Sequence, residues 1–312
     1  MRPRSLVLPL AALIPTMVLC AASPGAELSV ERTDEGAVVR IDGELFAQYV
    51  SRSDTKPIIW PIIGPTGQPM TREWPMGEGE GERQDHPHQR SLWFAHGDVD
   101  GVDFWHRPGV IEERALDVLA TGSEAVVRTR NDWMGPDGKL CEDEQVWTFG
   151  VDGENRYIDL DITITASEGA VTFGDTKEGT AAIRVAETMK VDAQLGGRIV
   201  SSEGLTDGEA WGKPAPWVDY HGPVAGETVG VAIFNHPSSF RFPTFWHVRT
   251  YGLFAANPFG VRDFTGDSGR DGSHTIPAGE SITLHYRFFF HKGDTEAAGV
   301  ADAYAAYAAE DR

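Results

Sequence analysis

The sequence predicts an all-β protein, a large antiparallel β-sandwich with a short C-terminal helix. Short runs of β-branched and aromatic residues recur along the chain, turn-forming residues separate them, and only the tail has helical periodicity. Alternation is clearest at Ile158, Leu160, Ile162 and Ile164, which alternate with Asp and Thr residues. That pattern is typical of a strand with one buried and one solvent-facing side. Sheets of such strands must cover their apolar faces, so we expect two sheets packed together.

Pairs of turn-forming residues predict the positions of two hairpins. Asp42-Gly43 is a favoured pair for a tight turn, and it separates predicted strands at 37–41 and 44–50. A second hairpin is predicted to turn at Asp152-Gly153. The remaining predicted strands are 58–63, 125–130, 140–151, 158–164, 229–234 and 282–290.

The helical prediction is confined to the C-terminal tail. Asp294 or Thr295 is a suitable capping residue, and Glu296 suits the first turn. Apolar residues then recur at helical spacing as far as Ala308. The sequence therefore predicts one helix that begins near residue 295.

The N-terminus resembles an export signal. Arg2 and Arg4 precede an apolar stretch over residues 5–19, and small residues follow it. We expect a signal peptide over 1–22 and a single β-sandwich domain over 23–312, in a periplasmic or extracellular protein. Lipid anchoring at Cys20 is the alternative. No later stretch is long and apolar enough to predict a membrane span in the mature chain.

Charge narrows the classes of partner. The chain has 27 Lys and Arg against 47 Asp and Glu, a formal net charge of -20. Nucleic acid is excluded as a partner because its binding depends on basic residues that neutralise phosphates. A polyanionic ligand is disfavoured unless a local basic patch overrides the net field. A neutral glycan or another small molecule is the expected ligand.

Histidines concentrate in one segment, Asp85–His106, together with an arginine, acids and tryptophans. Imidazole titrates near neutral pH and is the commonest nitrogen ligand of metals. Aromatic residues beside it are typical of small-molecule sites. We therefore expect this segment to line a site. Four of the ten histidines lie in it: His86, His88, His96 and His106.

A metal is one interpretation of these histidines. His86 and His88 project from the same face of an extended strand. His96 or Asp98 is then the candidate third ligand of a divalent ion. The alternative is that the imidazoles form hydrogen bonds within a loop-rich site. The cofactor is therefore unknown, with a divalent metal among the possibilities.

Four neighbours of the histidines are candidates for substrate binding. The guanidinium of Arg90 has the geometry to hold a carboxylate or hydroxyl groups. Asp103 is the acidic candidate, and Trp93 and Trp105 are candidates for stacking on a sugar ring. The alternatives are an ion pair between Arg90 and a nearby aspartate, and a core position for the two tryptophans.

A second polar and aromatic group lies far along the chain. His236 follows a predicted strand, and His247 and Arg249 share one face of an extended segment. Trp246 and Asn257 are further candidates for ligand contacts. A pair of histidines from distant parts of the chain suits general acid–base chemistry. The alternative is that these side chains satisfy buried backbone groups.

Three stretches resemble an exported bacterial family of unknown function, commonly called the PmoA or methane-oxygenase-like family. They are Pro61–Gly67, Asp85–Trp105 and Asn257–Gly260. The family name implies the membrane subunit of a methane monooxygenase. The sequence lacks the series of transmembrane helices that such a subunit needs, so the name is interpreted as a misnomer.

A fainter resemblance is to the galactose-mutarotase-like super-sandwich. The stretches that are similar to it are Trp60–Gly64, Asn235-His236 and Pro277–Glu280. The resemblance implies a histidine and a carboxylate that perform acid–base chemistry on a sugar. It implies the position of His236 for the histidine and offers no matching position for the carboxylate.

These observations lead to one main hypothesis and two alternatives. The main one is an exported carbohydrate-active protein, an enzyme that uses histidine acid–base chemistry for epimerisation, elimination or glycoside cleavage. The alternatives are a non-catalytic carbohydrate-binding or cell-surface module and a metal-dependent oxygenase or hydrolase. The candidate catalytic residues, expected to meet in one open hollow, are His86, His88, His96, His236 and His247. The candidate substrate-binding residues are Arg90, Trp93, Asp103, Trp105, Trp246, Arg249 and Asn257.

Overall fold

The computed structural model describes residues 25–312, so the predicted signal peptide over residues 1–22 lies outside the described residues. The strands in chain order are β1 (Leu28–Thr33), β2 (Gly36–Ile41), β3 (Glu44–Ser53), β4 (Lys56–Ile62), β5 (Leu92–His96), β6 (Val110–Ala120), β7 (Ala125–Gly135), β8 (Gly138–Asp152), β9 (Asn155–Thr165), β10 (Val171–Phe173), β11 (Gly179–Arg184), β12 (Arg198–Ser201), β13 (Trp217–Val224), β14 (Glu227–Asn235), β15 (Phe245–Val248), β16 (Leu253–Asn257), β17 (His274–Ile276) and β18 (Ser281–Lys292). The α-helices are α1 (Val261–Thr265) and α2 (Val300–Ala308).

The strands form two large sheets and one small pair. The first sheet has the order β1-β2-β3-β4-β5-β11-β16-β15, and the second has the order β12-β13-β14-β18-β9-β8-β7-β6. Strands β10 and β17 pair separately. The neighbouring strands pair antiparallel throughout the described chain. The predicted class, an antiparallel β-sandwich with a short C-terminal helix, is confirmed.

These two predicted hairpins form at the turns that the sequence predicts. Asp42 and Gly43 have φ angles of 51° and 84°, both in the left-handed region, and Ile41 pairs with Glu44 across the turn. Positive φ at both central residues gives a turn whose twist matches that of the flanking strands. The hairpin at Asp152-Gly153 joins β8 to β9, as predicted.

The main core lies between the two large sheets. The ring of Phe46 in the first sheet lies edge-on to Phe149 of the second, with centroids 5.9 Å apart. Phe94 and Trp133 meet across the same interface at 6.2 Å. Burying each large apolar side chain contributes about 1.5–3 kcal/mol, so many such contacts hold the sheets together without a disulfide in the described chain.

Helix α2 covers the outer face of the second sheet, but it begins later than predicted. Val300 is its first residue, and Gly299 precedes it with a φ of 62°. Thr295 does not cap the helix because its hydroxyl donates to Asp219 at 2.6 Å. Asp294, the other predicted capping residue, does cap a single turn, because its carboxylate accepts from the backbone N–H of Ala297 at 2.9 Å. The left-handed Gly299 separates this turn from α2.

The histidine segment contains a buried strand. Every residue of β5 is buried, and β5 lies between β4 and β11 in the first sheet. His96 is its last residue, so this imidazole is fixed by the sheet rather than by a loop. No helix of the described residues is long and apolar enough to cross a membrane.

Candidate functional site

One buried guanidinium shapes the histidine loop, which is defined here as residues 82–91. The side chain of Arg72 is fully buried and donates to the Asp85 carboxylate at 2.7 Å. The remaining donors reach backbone carbonyl oxygens of Trp74, Arg83, Asp85, His86 and Gln89. A guanidinium has five N–H donors in a rigid plane, which lets one side chain bind several turns of an irregular segment.

The loop presents His86 at the surface. Its side chain is 41% exposed, and Nδ1 lies 3.2 Å from an Asp85 carboxylate oxygen. Its ring stacks on Tyr251, with centroids 5.1 Å apart and planes 8° from parallel. His86 therefore brings the histidine loop into contact with the turn that joins β15 to β16.

Two further imidazoles adjoin His86. The ring centroid of His88 lies 5.8 Å from that of His86 and 4.2 Å from that of His106. Asp103 accepts hydrogen bonds from the backbone N–H of His106 at 2.8 Å and from its Nδ1 at 2.9 Å. Because a carboxylate only accepts, Nδ1 carries a proton, and a neutral His106 keeps Nε2 free as an acceptor.

Burial and nearby positive charges set the protonation state of these histidines. Burial, with the positive charges of His106 and Lys56, lowers the pKa of His88 to about 3. Burial lowers the pKa of Lys56 to about 7, and its Nζ donates to the carbonyl oxygen of Trp105 at 2.6 Å. Perturbed groups of this kind cluster at functional sites. His88 is accordingly neutral at physiological pH.

The line of side chains continues past Tyr251. The Arg249 guanidinium lies 5.7 Å from the ring centroid of Tyr251 and 5.7 Å from that of Trp211. A cavity of about 290 Å³ lies at this end and is lined in part by Trp211 and Arg249. We call this line the imidazole row, and its members are Trp211, Arg249, Tyr251, His86, His88 and His106.

Three of the predicted catalytic histidines do not join the row. His96 is fully buried between Phe173 and Phe259, and its Nε2 bonds the Gly174 carbonyl at 2.8 Å. His247 is 2% exposed on β15 beside Phe264.

His236 is the third of these histidines, and it lies directly after β14 of the second sheet, near His285 and Tyr307. The prediction that all five candidate imidazoles meet in one hollow is therefore wrong. The reason is that His96 and His247 lie within strands and His236 lies directly after one, where neighbouring residues bury all three.

Most of the aromatic and amide candidates are structural. Trp93 and Trp105 pack on each other in the core at 5.1 Å, and Trp246 is buried and donates to the carbonyl of Ala215. Asn257 is buried and donates to the carbonyls of residues 176 and 177. These four were predicted as substrate-binding residues, and the structure contradicts that role because none of them is exposed.

The charged candidates remain near the row. Arg90 donates to the Pro87 carbonyl and to the Ser53 hydroxyl rather than to a nearby aspartate. Asp103 orients His106, as described above, instead of lying free for a ligand. Arg249 belongs to the row itself.

The donor set does not favour a metal. His96 points into the core while His86 lies at the surface, so the predicted set of His86, His88 and His96 does not converge. Across residues 25–312 no group of three or more His, Cys, Asp or Glu side chains is arranged to hold a metal ion.

Sequence reasoning missed several members of the site. His106 was seen as part of the histidine segment but was not among the candidate catalytic residues, although its spacing from Asp103 allowed a local pair. Lys56 offered one signal, a lysine that opens an apolar strand. Trp211 and Tyr251 gave no signal, because only the fold brings them to the histidine loop.

A second polar cleft lies on the outer face of the second sheet, with a volume of about 760 Å³. Its charged groups already satisfy one another. Arg287 binds the Asp159 carboxylate through two hydrogen bonds, at 2.6 and 2.8 Å. Asp161 accepts from His285 and from Arg312. This cleft therefore holds a structural ion-pair network beneath α2.

Fold and site together define a class of protein: a two-sheet antiparallel β-sandwich that carries a surface row of imidazole, aromatic and guanidinium groups. The chain belongs to the family of unknown function DUF6807, which it matches over residues 36–305. That match gives no support to the resemblance to the methane-oxygenase-like family. No protein of curated function shows significant sequence similarity to the chain.

The solved structures that the chain matches share little sequence with it. A galactose mutarotase-like protein from Clostridium acetobutylicum is 10% identical, with 86% of this chain and 99% of that chain covered and a TM-score of 0.41. A β-arabinopyranosidase is 8% identical, with 85% of this chain covered and a TM-score of 0.35. The galactosidase domain of an α-galactosidase-sucrose kinase is 8% identical, with 86% covered and a TM-score of 0.38. The chain spans 38% and 40% of the last two proteins. Similarity at this level establishes neither a shared ligand nor a shared reaction.

Proposed function

We propose that the protein is a carbohydrate-active enzyme that uses histidine acid–base chemistry at the imidazole row. The observation that carries the proposal is the pairing of Asp103 with His106 at 2.9 Å, directly beside the neutral ring of His88. A carboxylate that holds Nδ1–H leaves Nε2 as the proton acceptor, which is the arrangement general bases use. His106 would take or return the proton, and Asp103 would stabilise the imidazolium that forms.

The other members of the row suit a sugar. Trp211 is planar and amphipathic, and sugar rings present apolar C–H faces to such surfaces. The ring of Tyr251 is already stacked on His86, so it supports the row rather than offering a second stacking face. Arg249 lies between these two rings and offers donors for hydroxyl or acidic oxygens. Neutral His88 has a ring N–H available to donate to a sugar oxygen. Epimerisation, elimination and glycoside cleavage all need one proton acceptor and one donor at such a place.

The test is a set of single variants assayed on a panel of free sugars and oligosaccharides. H106N and D103N are expected to lower kcat/KM by about 10²–10⁴-fold, the usual contribution of general acid–base catalysis. H274N changes a histidine on β17, outside the row, and is the matched control. Full turnover by H106N in a folded, active preparation would show that His106 is not the acid or base.

A non-catalytic carbohydrate-binding module is the second candidate. Its support is the openness of the row, because the side chains of His86 and His106 are 41% and 45% exposed. The two candidates differ in one outcome of the same experiment. Saccharide binding without any turnover, weakened by Y251A and unaffected by H106N, would identify a binding module.

We also infer that the protein acts outside the cytoplasm. This inference rests on the basic and apolar pattern of residues 1–22. The expected result is a mature protein from an exporting host whose N-terminal sequence begins near residue 23. Recovery of full-length protein only from the cytoplasm would contradict it.

A further inference from the structure

Two buried arginines beneath the row share one carboxylate. The side chains of Arg72 and Arg184 are 0% and 1% exposed, and both bind Asp85, at 2.7 and 3.4 Å. One carboxylate therefore faces two guanidinium groups. The Nε of Arg184 has no hydrogen-bond partner in the described part of the chain. A buried pair of cations with a single anion leaves positive charge directly behind the site.

This positive charge reaches the row through Tyr251. The Arg184 guanidinium lies 4.7 Å from the ring centroid of Tyr251, and the Arg249 guanidinium lies 5.7 Å from it. Within residues 25–312 Arg249 forms no ion pair with a carboxylate, and it is half-buried. Two cations thus contact the ring that also stacks on His86 within the row.

The opposite end of the row has the same imbalance. Arg90 is half-buried, and among residues 25–312 its donors reach only the Pro87 carbonyl and the Ser53 hydroxyl. Asp103 is occupied by His106. Arg107, further out, is neutralised by Asp54.

The composition of the chain does not explain the imbalance. The whole chain has a formal net charge of -20, so unneutralised arginines do not follow from a generally basic composition. Elsewhere some described arginines are met by carboxylates, as Arg287 and Arg312 are by Asp159, and others such as Arg156 and Arg241 donate to backbone carbonyl oxygens. The Arg249 guanidinium instead lies over the rings of Trp211 and Tyr251. Cations kept without a protein anion are most stable when a ligand supplies the anion.

We propose that the imidazole row binds an acidic saccharide whose rings carry carboxylate groups, as a uronic-acid oligosaccharide does. Arg249 would bind one carboxylate, with Arg184 behind it, and Arg90 would face the other end of the ligand. A guanidinium fork fits the two oxygens of a carboxylate, and this fit favours carboxylate over a single hydroxyl. The proposal deepens the proposed function and rests on the sugar-binding role of the row.

Calorimetric binding to matched trisaccharides tests the charge requirement. The probes are trigalacturonate, its methyl ester, a neutral galactotriose and a sulfated galactotriose. We expect trigalacturonate to bind at least about tenfold more tightly than its methyl ester at low salt, and the difference to shrink as salt is added. R249Q should remove most of that difference, while R52Q, an exposed arginine outside the row, should keep it.

The outcomes separate the two proposals. Equal binding of the acid, the ester and the neutral sugar would overturn the acidic-ligand inference and leave the proposed function standing. Equal binding of the sulfated sugar would overturn the carboxylate assignment. The inference would also be overturned if R249Q preferred trigalacturonate to its methyl ester as strongly as the wild type does. Another residue would then bind the carboxylate. Absence of binding to any saccharide, in a wider panel of neutral and acidic oligosaccharides, would overturn both proposals.

Discussion

The imidazole of His247 lies against Phe264 with 2% of the residue exposed, and its Nδ1 has no hydrogen-bond partner in the described chain. Burial lowers its pKa from 6.5 to about 4. His106 carries the same functional group, yet its side chain is 45% exposed and is held by Asp103. The difference between a sealed imidazole and a candidate catalyst is therefore set by the neighbours of each ring.

His247 should make the protein sensitive to acid. The unfolded chain protonates this residue near pH 6.5 and the folded chain near pH 4, so between those values the unfolded state binds more protons. Stability is then lost as the pH falls from 6.5 towards 4, by about 2 kcal/mol at pH 5 for this residue. H247L should reduce that loss in urea unfolding at pH 7.5 and pH 5.

The matched control for this prediction is H106L, which removes an exposed imidazole. A stability difference between pH 7.5 and pH 5 that is as large in H247L as in the wild type would contradict the assignment. The comparison uses differences between variants, so the other titrating groups of the chain cancel.

At the scale of elements, the histidine loop has no regular secondary structure, and Arg72 replaces the hydrogen bonds that a helix or sheet would supply. Its guanidinium binds the backbone carbonyl of Trp74, which precedes the loop, as well as the carbonyl of Gln89 and the Asp85 carboxylate within the loop. The strands before and after the loop in sequence, β4 and β5, hold this segment only at its ends. The position of His86 and His88 therefore depends on one side chain that is not itself in the row.

R72K should loosen the loop while keeping the charge. An ammonium has three donors and no planar fork, so several of these bonds are lost, and each charge-assisted bond is worth about 1.5–3 kcal/mol. Trypsin should then cleave after Arg83, whose side chain is 61% exposed, at least about tenfold faster than in the wild type. Mass spectrometry of the fragments measures the rate at this bond.

R52K makes the same substitution at an exposed arginine and should leave cleavage after Arg83 unchanged. Equal rates for R72K and the wild type would mean that the loop is held by its other contacts.

At the scale of the whole molecule, a second and smaller core lies outside the sandwich. Tyr307 of α2 is fully buried, with its ring centroid 5.9 Å from that of Phe234 and 5.2 Å from that of His236. The guanidinium groups of Arg287 and Arg312 lie over the same ring, at 4.6 and 4.7 Å. The helix thus covers both the apolar residues and the ion pairs of the outer face.

Y307A should destabilise the protein strongly because it removes the side chain at the centre of this contact. Replacement of a buried aromatic residue by alanine typically costs about 3–5 kcal/mol. A301G, at an exposed position of the same helix, should cost only about 1 kcal/mol. Denaturant unfolding compares the two, and a loss in Y307A no larger than that in A301G would show that α2 contributes little to the fold.

Local pattern was sufficient for the hairpins and for the class of fold. The left-handed turn at Asp42-Gly43 and the alternation around Ile162 depend only on neighbouring residues, and both predictions hold. The start of α2 was predicted too early, because the left-handed Gly299 separates the helix from the turn that Asp294 caps. Thr295, the other predicted cap, binds Asp219, which lies 76 residues away, and a residue pattern contains no information about such a partner.

The amino-acid sequence by itself determined the antiparallel sandwich, the position of most strands and the segment in which to look for a site. It did so because strand periodicity and turn chemistry act over a few residues. Only the tertiary structure decided which imidazoles meet. It buried His96 and His247, and it brought Tyr251 and Trp211 beside the histidine loop. It also left Arg249 without a carboxylate partner among the described residues. The reason is that the environment of a side chain is set by the order of strands in the sheets and by contacts between distant residues.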